Sequence, residues 1–270
     1  MQNEKEIKEI VKEKYGEIAK RNGSCCGPTS CCGTSSNSNK IVGYTVMQDE
    51  YGHLDGYVAD ADLGLGCGLP TEFAGIKKGD VVVDLGSGAG NDVFVARAIV
   101  GNEGKVIGID MTQEMIDKAN RNNQKLGYKN VEFYLGEIEA MPIDNSIADV
   151  VVSNCVLNLV PSKQKAFSEI YRILNDKGHF CVSDIVIKGE LPANLKKSAE
   201  MYAGCVSGAV QHDEYLKIIS DSGFKNVEVM KTKVIDLPDE ILRSYLSAEE
   251  LKKYHESNIG IFSITVTASK

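Results

Sequence analysis

The stretch VVVDLGSGAG, residues 81–90, decides how this chain folds. Its first half is a short apolar run rich in β-branched residues, the pattern of a strand buried on both faces. Its second half places Gly86, Gly88 and Gly90 directly before NDVFVARAIV (91–100), which has a helical pattern. Glycines at a strand-to-helix turn let the backbone bend tightly and come close to a ligand. Outward from this unit the alternation repeats. KVIGID (105–110), VEFYLGE (131–137), ADVVVSNCV (148–156) and GHFCVSDIVI (178–187) read as strands, and residues 112–126 and 162–174 as helices. Apolar strands alternating with helices predict a parallel sheet covered on both faces.

The flanks are less regular. Residues 4–20 carry Ile7, Ile10, Val11, Tyr15 and Ile18 at helical spacing among charges, so they read as an amphipathic helix. Residues 21–40 form a thiol-rich loop of small residues, and 41–79 a glycine-rich cap that includes GLGCGLP, ending at Pro70. Residues 190–225 read as mainly helical, with closing strands at 227–237 and 261–268. The expected division is residues 1–40 as helix and thiol loop, 41–188 as the nucleotide-binding domain with its cap, and 189–270 as a substrate-binding and closing extension.

The 270 residues are 43% apolar and 25% charged, ordinary for a globular protein able to bury a large core. No apolar run nears the roughly 20 residues that span a bilayer. The charged N-terminus lacks a signal peptide's apolar stretch. A cytoplasmic protein without a membrane partner is expected. The net charge of −8 and the lack of a basic stripe speak against nucleic acid.

Asp84 precedes the glycines, Asp110 ends the second strand, and Glu137 ends the third. These acids line the carboxyl edge of successive strands, where open α/β sheets bind ligands. Asp110 suits two ribose hydroxyls, and Glu137 lies near the expected adenine. A dinucleotide enzyme prefers G-x-G-x-x-G and pyrophosphate at the helix N-terminus. Here the spacing is G-x-G-x-G, and Asp84 would repel pyrophosphate. It suits an ammonium group, which S-adenosylmethionine carries in place of any phosphate. The bland alternative is a plain strand-to-helix turn.

Eight cysteines are unusual: Cys25, Cys26, Cys31, Cys32, Cys67, Cys155, Cys181 and Cys205. Buried cysteine is often only packing, and Cys181, inside an apolar strand, is assigned to that role. Cys67, Cys155 and Cys205 instead sit at connections or strand ends, where scaffolds place function. The doublets Cys25-Cys26 and Cys31-Cys32 lack C-x₂₋₄-C zinc spacing. A thiol cluster for a soft ion fits them better, with incidental or redox-buffering thiols as the alternative.

Residues 77–187 resemble the class I S-adenosylmethionine methyltransferases, in VVVDLGSGAG, in GID, and in MPIDNSIADVVVSNCVLNLV followed by EIYRILNDKGHF. The resemblance implies an α/β, Rossmann-like sheet with helices on both faces. It also implies cofactor contacts from Asp84, Gly86, Gly88, Asp110, Met111, Ile138 and Glu139. Gly90, Glu137 and Asn154 complete the expected cofactor set, with Glu137 and Glu139 both open for the adenine. VKEKYGEIAKRNGSCCG, GYVADADLGLGCGLP, SNCVLNLVP and AGCVSG together are similar to the arsenite S-adenosylmethionine methyltransferases, from about residue 8 to 235. That likeness implies that Cys67, Cys155 and Cys205 hold trivalent arsenic, as arsenite or methylarsenite. It implies methyl transfer to arsenic and thiol redox cycling with thioredoxin or glutathione as reductant. The family commonly has one further N-terminal cysteine where this chain has two doublets. The competing readings are a methyltransferase of a quinone, sterol or amine, and a thiol metalloid buffer without catalysis.

Overall fold

The computed structural model describes residues 4–20, 50–191, 208–236, 239–243, 246–257 and 259–270. Cys205 and the doublets Cys25-Cys26 and Cys31-Cys32 lie outside the described residues, as do residues 192–207 of the segment read as mainly helical after residue 190. The elements run α1 (Glu4–Lys20), α2 (Pro70–Phe73), β1 (Val81–Leu85), α3 (Asn91–Val100), β2 (Lys105–Asp110), α4 (Gln113–Leu126), β3 (Val131–Leu135) and β4 (Ala148–Asn154). They continue with α5 (Lys163–Ile173), β5 (Leu174–Lys188), α6 (His212–Asp221), β6 (Lys225–Val234), α7 (Asp239–Leu242), α8 (Ala248–Glu256) and β7 (Gly260–Ser269). No described helix is long and apolar enough to cross a membrane.

Seven strands form one sheet in the order β3-β2-β1-β4-β5-β7-β6. The first five in that order pair in parallel, as read from the sequence. The strand order reverses between β1 and β4, which opens a crevice at their carboxyl ends. The last strand in sequence, β7, enters between β5 and β6 and runs antiparallel to both. β5 begins at Leu174, before its expected start, because Leu174 pairs with Ala148 ahead of a bulge.

Alternation along β1 explains why both faces must be covered. Val83 and Leu85 join a core with Phe167, Ile170 and Phe180, while Val82 joins a core with Val93, Phe94 and Val106 on the other face. Each such side chain, fully buried, contributes roughly 1.5–3 kcal/mol. Cys181 is fully buried in the second core, as expected for packing. Ser162 caps α5 by accepting the Lys165 N–H, and Ser247 forms a capping box with Glu250 on α8. α1 packs on α4, where Lys20 reaches Glu114 at 2.9 Å.

One buried carboxylate faces the first core. Asp184 on β5 is 1% exposed and accepts the Tyr215 hydroxyl at 3.1 Å and its neighbour's Ile185 N–H at 3.1 Å. Burial pushes its pKa up to about 7, against the pull of Lys163. The unfolded chain therefore holds fewer protons here than the folded one between pH 4 and 7. Stability from this group is full below about pH 4 and is lost as pH rises towards 7, by up to about 1.4 kcal/mol per unit. Asp184→Asn keeps an acceptor for Tyr215 and removes the titration. Urea midpoints of the variant should gain on the wild type as pH rises from 4 to 7; parallel curves would show that Asp184 is ionised throughout.

Candidate active site

The glycine turn after β1 is stitched to the end of β2. Gly86 and Ser87 donate to the Ile109 carbonyl at 2.8 and 3.0 Å. Gly86 has φ +67°, and a Cβ there would lie 2.5 Å from Val156, so only glycine lets the turn close against the loop after β4. Asp110 is fixed by two backbone donors: Gly88 N–H at 3.0 Å on one oxygen and Thr112 N–H at 2.8 Å on the other. Burial raises its pKa, and these two bonds oppose the rise. Its remaining lone pairs face a cavity that is also lined by Asp84, Met111 and Ile138.

Asp84, 3% exposed, points into the same cavity, and among the described residues no hydrogen bond reaches its carboxylate. Burial pushes its pKa well up, and nearby Asp92 and Asp110 add to this. Asp92, in the first turn of α3, is 6% exposed and also lines the cavity. Burial carries its pKa to about 6, against hydrogen bonds from Tyr51 and Asn154. Lys8 is the cavity's one lysine or arginine among the described residues, and it is engaged elsewhere. Two buried acids without a basic neighbour call for a ligand that brings its own positive charge. These residues fit S-adenosylmethionine: Asp84 for the ammonium, Asp110 for the ribose hydroxyls, Met111 and Ile138 as walls for the base.

Helix α1 lines the cavity with Lys8, Val11 and Tyr15, at the end where Glu137 and Glu139 stand. Lys8 Nζ is 2.6 Å from both Glu137 and Glu139, and Lys12 is 3.6 Å from Glu137. Glu139 also accepts the Ser162 N–H at 2.9 Å, so it ties β4's following loop to this wall. The side chain of Glu137 is 40% exposed and that of Glu139 only 7%. Both line the cavity, but Glu137 is the one left with room to meet a ligand.

Cys155 stands at the other end. It follows the last residue of β4, is 2% exposed, and lines the cavity. Its backbone is left-handed, with φ +62°, a conformation costing a non-glycine residue about 1–3 kcal/mol. Its N–H donates to the Ser183 carbonyl at 2.7 Å, which holds the strained residue in place. Cys67 shares a buried cluster with Cys155, and is itself fully buried. It does not line the cavity; its neighbour Gly66 does. The backbone of Cys67 is held from both sides: its N–H donates to Asn154 Oδ1 at 3.0 Å, and its carbonyl accepts from Ser263 at 2.6 Å. Tyr215, buried in the first core, is within electrostatic reach of both thiols. Its pKa is raised by burial first, then by Asp184, and then by Cys67 and Cys155.

Gly90 is not on the cavity either. It is the residue before α3, with φ +98°, and packs on Phe94. The other expected cofactor residues, Asp84, Gly86, Gly88, Asp110, Met111, Glu137, Ile138, Glu139 and Asn154, all line the cavity. Sequence reading passed over Lys8, Tyr51 and Asp92. Asp92 had one available signal, an acid set directly after the glycine turn.

A methyltransferase-domain family model matches residues 76–223, more than half of the chain. An arsenite methyltransferase of Halobacterium salinarum is 41% identical over 234 residues, covering 83% of this chain and 59% of that protein. The arsenite methyltransferase of Homo sapiens is 30% identical over 246 residues, covering 88% of this chain and 63% of that protein. A crystal structure of an arsenic(III) S-adenosylmethionine methyltransferase from Chlamydomonas reinhardtii superposes with a TM-score of 0.63 at 32% identity. It covers 76% of this chain and 67% of that one. The chain belongs to the methyltransferase-domain family, in the group of the arsenite methyltransferases. It spans about three fifths of the length of the archaeal and human relatives. The crevice between β1 and β4, with its acids at the carboxyl edge of the sheet, lies within the matched methyltransferase domain.

Removing the Asp110 carboxylate leaves the Gly88 and Thr112 N–H groups of this methyltransferase without acceptors, at about 1–3 kcal/mol. Asp110→Ala should lower the melting temperature by a few degrees and weaken S-adenosylhomocysteine at least tenfold in calorimetric titration. Unchanged affinity would show that the ribose lies elsewhere.

Proposed function

We propose that this chain methylates trivalent arsenic, arsenite or methylarsenite, with S-adenosylmethionine as methyl donor, giving methylated arsenicals. The observation that carries the reading is the placement of Cys155. A thiol on a strained backbone lines the cofactor cavity and shares a buried cluster with a second thiol, Cys67. Trivalent arsenic is soft and binds thiolates in a three-coordinate pyramid that keeps a lone pair. Cys155 and Cys205 would hold it, with Cys67 or a small thiol as third ligand. Gly208 accepts the Lys163 ammonium on its carbonyl at 2.6 Å, and a Cβ on it would meet the carbonyl of Asn158. Gly208 itself thereby lies beside the loop that follows Cys155.

S-adenosylmethionine supplies an electrophilic methyl group on a cationic sulfur. The work of the chain is positional. Asp84 would hold the ammonium and Asp110 the ribose, and the thiolates would aim the arsenic lone pair at the methyl group. Holding two reactants about 3–3.5 Å apart and in line can supply roughly 7–11 kcal/mol towards the barrier. The lone pair carries no proton, so no general base is required. This agrees with the histidines: His53, His212 and His255 pair with surface carboxylates, and His179 contacts the Ala74 carbonyl.

Attack by the lone pair takes arsenic from the trivalent to the pentavalent state. Two electrons return it, and a thiol pair can give them by forming a disulfide, with Cys67 as one partner. A low-potential thiol reductant such as thioredoxin, at about −270 mV, or glutathione would restore the thiols. The doublets Cys25-Cys26 and Cys31-Cys32 are further soft-ion contacts. A reducing compartment such as the cytoplasm suits this chemistry.

Cys155→Ser or Cys205→Ser should abolish methylation of arsenite, by at least a hundredfold, while S-adenosylhomocysteine still binds. Cys67→Ser should spare methylarsenite, which needs fewer ligands, and Cys181→Ala should spare both. Arsenic speciation after incubation with cofactor and a thiol reductant reads all four. Full arsenite methylation by Cys155→Ser or Cys205→Ser would defeat the assignment and leave a methyltransferase of another small molecule.

A further inference from the structure

Asn154 serves four neighbours. Its Oδ1 accepts the Cys67 N–H at 3.0 Å. Its Nδ2 lies 2.5 Å from the Tyr51 hydroxyl, 2.8 Å from the Gly68 carbonyl and 3.3 Å from Asp92. Tyr51 in turn donates to Asp92, whose two oxygens are 2.9 and 3.1 Å away. Tyr51, 2% exposed, and Asp92, 6% exposed, are both buried, and both line the cofactor cavity.

Hydrogen-bond direction makes this a chain with one polarity. A tyrosine hydroxyl has one proton, and it goes to Asp92. The hydroxyl oxygen must then accept, and Asn154 Nδ2 is its donor. With the amide nitrogen committed to Tyr51 and Gly68, Oδ1 must face Cys67. A flipped amide would set Oδ1 against the Gly68 carbonyl and leave the Cys67 N–H facing a donor. The Gly68 carbonyl and the Cys67 N–H set the sense of the amide, and a carboxylate at residue 92, which can only accept, draws the Tyr51 proton away from its other acceptor, the Gly68 carbonyl at 3.3 Å. Yet Asp92 has Asp84 as its buried neighbour and no lysine or arginine beside it among the described residues. The charge that favours an accepting Asp92 must come from the ligand.

We propose that Asn154 is a positioning residue that couples the two halves of the site: positive charge at the sulfonium position keeps Asp92 accepting from Tyr51, which leaves the Gly68 carbonyl and the Tyr51 oxygen to the Asn154 amide that fixes the Cys67 backbone for arsenic. This rests on the reading of Cys67 and Cys155 as arsenic ligands. The consequence is reciprocal, as for any binding coupling. A cationic adenosyl ligand tightens arsenite, and arsenite tightens that ligand by the same factor. A ligand that keeps the ammonium beside Asp84 but has a neutral sulfur does neither. The site would then take up arsenic best when a charged methyl donor is present, and would hold it less firmly over the neutral product.

The test is equilibrium dialysis of arsenite against the full chain carrying serine at Cys25, Cys26, Cys31 and Cys32. Sinefungin, with an amine in place of the sulfonium, serves as the cationic ligand, and S-adenosylhomocysteine as the neutral one. Neither can transfer a methyl group. Sinefungin should tighten arsenite at least fivefold and S-adenosylhomocysteine less than twofold. In Asn154→Ala, and in the milder Tyr51→Phe, the ratio of arsenite affinities with and without sinefungin should fall to about one, whatever the separate affinities become. Coupling that persists in both variants, or equal tightening by the two ligands, would overturn the inference. Arsenite binding that is absent, or indifferent to Cys155→Ser, would instead overturn the thiol reading on which it rests.

Discussion

The cap over this site is held to the sheet by an amide. Residues 50–79 contain a single four-residue helix, so the cap has almost no ladder of its own. Its position comes from Asn154 at the end of β4, which grips the backbone of Cys67 and Gly68, and from Ser263 on β7, which grips Cys67 from the other side. Each bond contributes about 1 kcal/mol, and each would cost more if left unmade in a buried place. Close approach is possible because Gly66 and Gly68 have no side chains. A Cβ at Gly66 would lie 2.7 Å from Asn154, and one at Gly68 would lie 2.5 Å from Ser183. The GLGCGLP pattern is thus a steric requirement around one cysteine.

Charge organises the rest of the cleft. The sheet's carboxyl edge gathers Asp84, Asp92 and Asp110, and burial raises the pKa of each. At the far wall the only lining lysine among the described residues is consumed by Glu137 and Glu139. The inner cleft therefore suits a cationic ligand, while the adenine wall is internally balanced and fastens α1 across it. Lys8, the fifth residue of α1, links this helix to the loop after β3 and, through Glu139, to Ser162. The thiol region differs in kind. It is a buried apolar cluster of Cys67 and Cys155 with Ile185, Ile187 and Leu251, a dry setting suited to a soft ligand.

Much of this was legible in the sequence because strands in a parallel sheet must be apolar on both faces, and β1, β2, β4 and β5 announce themselves in that way. The glycine turn and the acids at strand ends located the cleft for the same reason. Three features escaped. Antiparallel insertion of β7 depends on pairing partners far apart in the chain, which local pattern does not encode. Lys8 sits in a helix crowded with charges, where one lysine looks like any other. Tyr51 and Asp92 act through hydrogen bonds spanning 41 residues, and Asp92 falls within a stretch read only as helix. Gly90 and Cys67 stand one residue behind the cavity wall, a distinction of a few ångströms that spacing alone does not resolve.

The central claim is that protein thiols gather around arsenic at the mouth of an adenosyl pocket. X-ray absorption at the arsenic edge measures it directly. The sample is the chain with serine at Cys25, Cys26, Cys31 and Cys32, loaded with one equivalent of arsenite and saturated with S-adenosylhomocysteine, without any small thiol. The account predicts a shell of three sulfur atoms and no oxygen, with one sulfur fewer when Cys155 is also replaced by serine. An oxygen shell, or a sulfur shell that ignores the loss of Cys155, would contradict it.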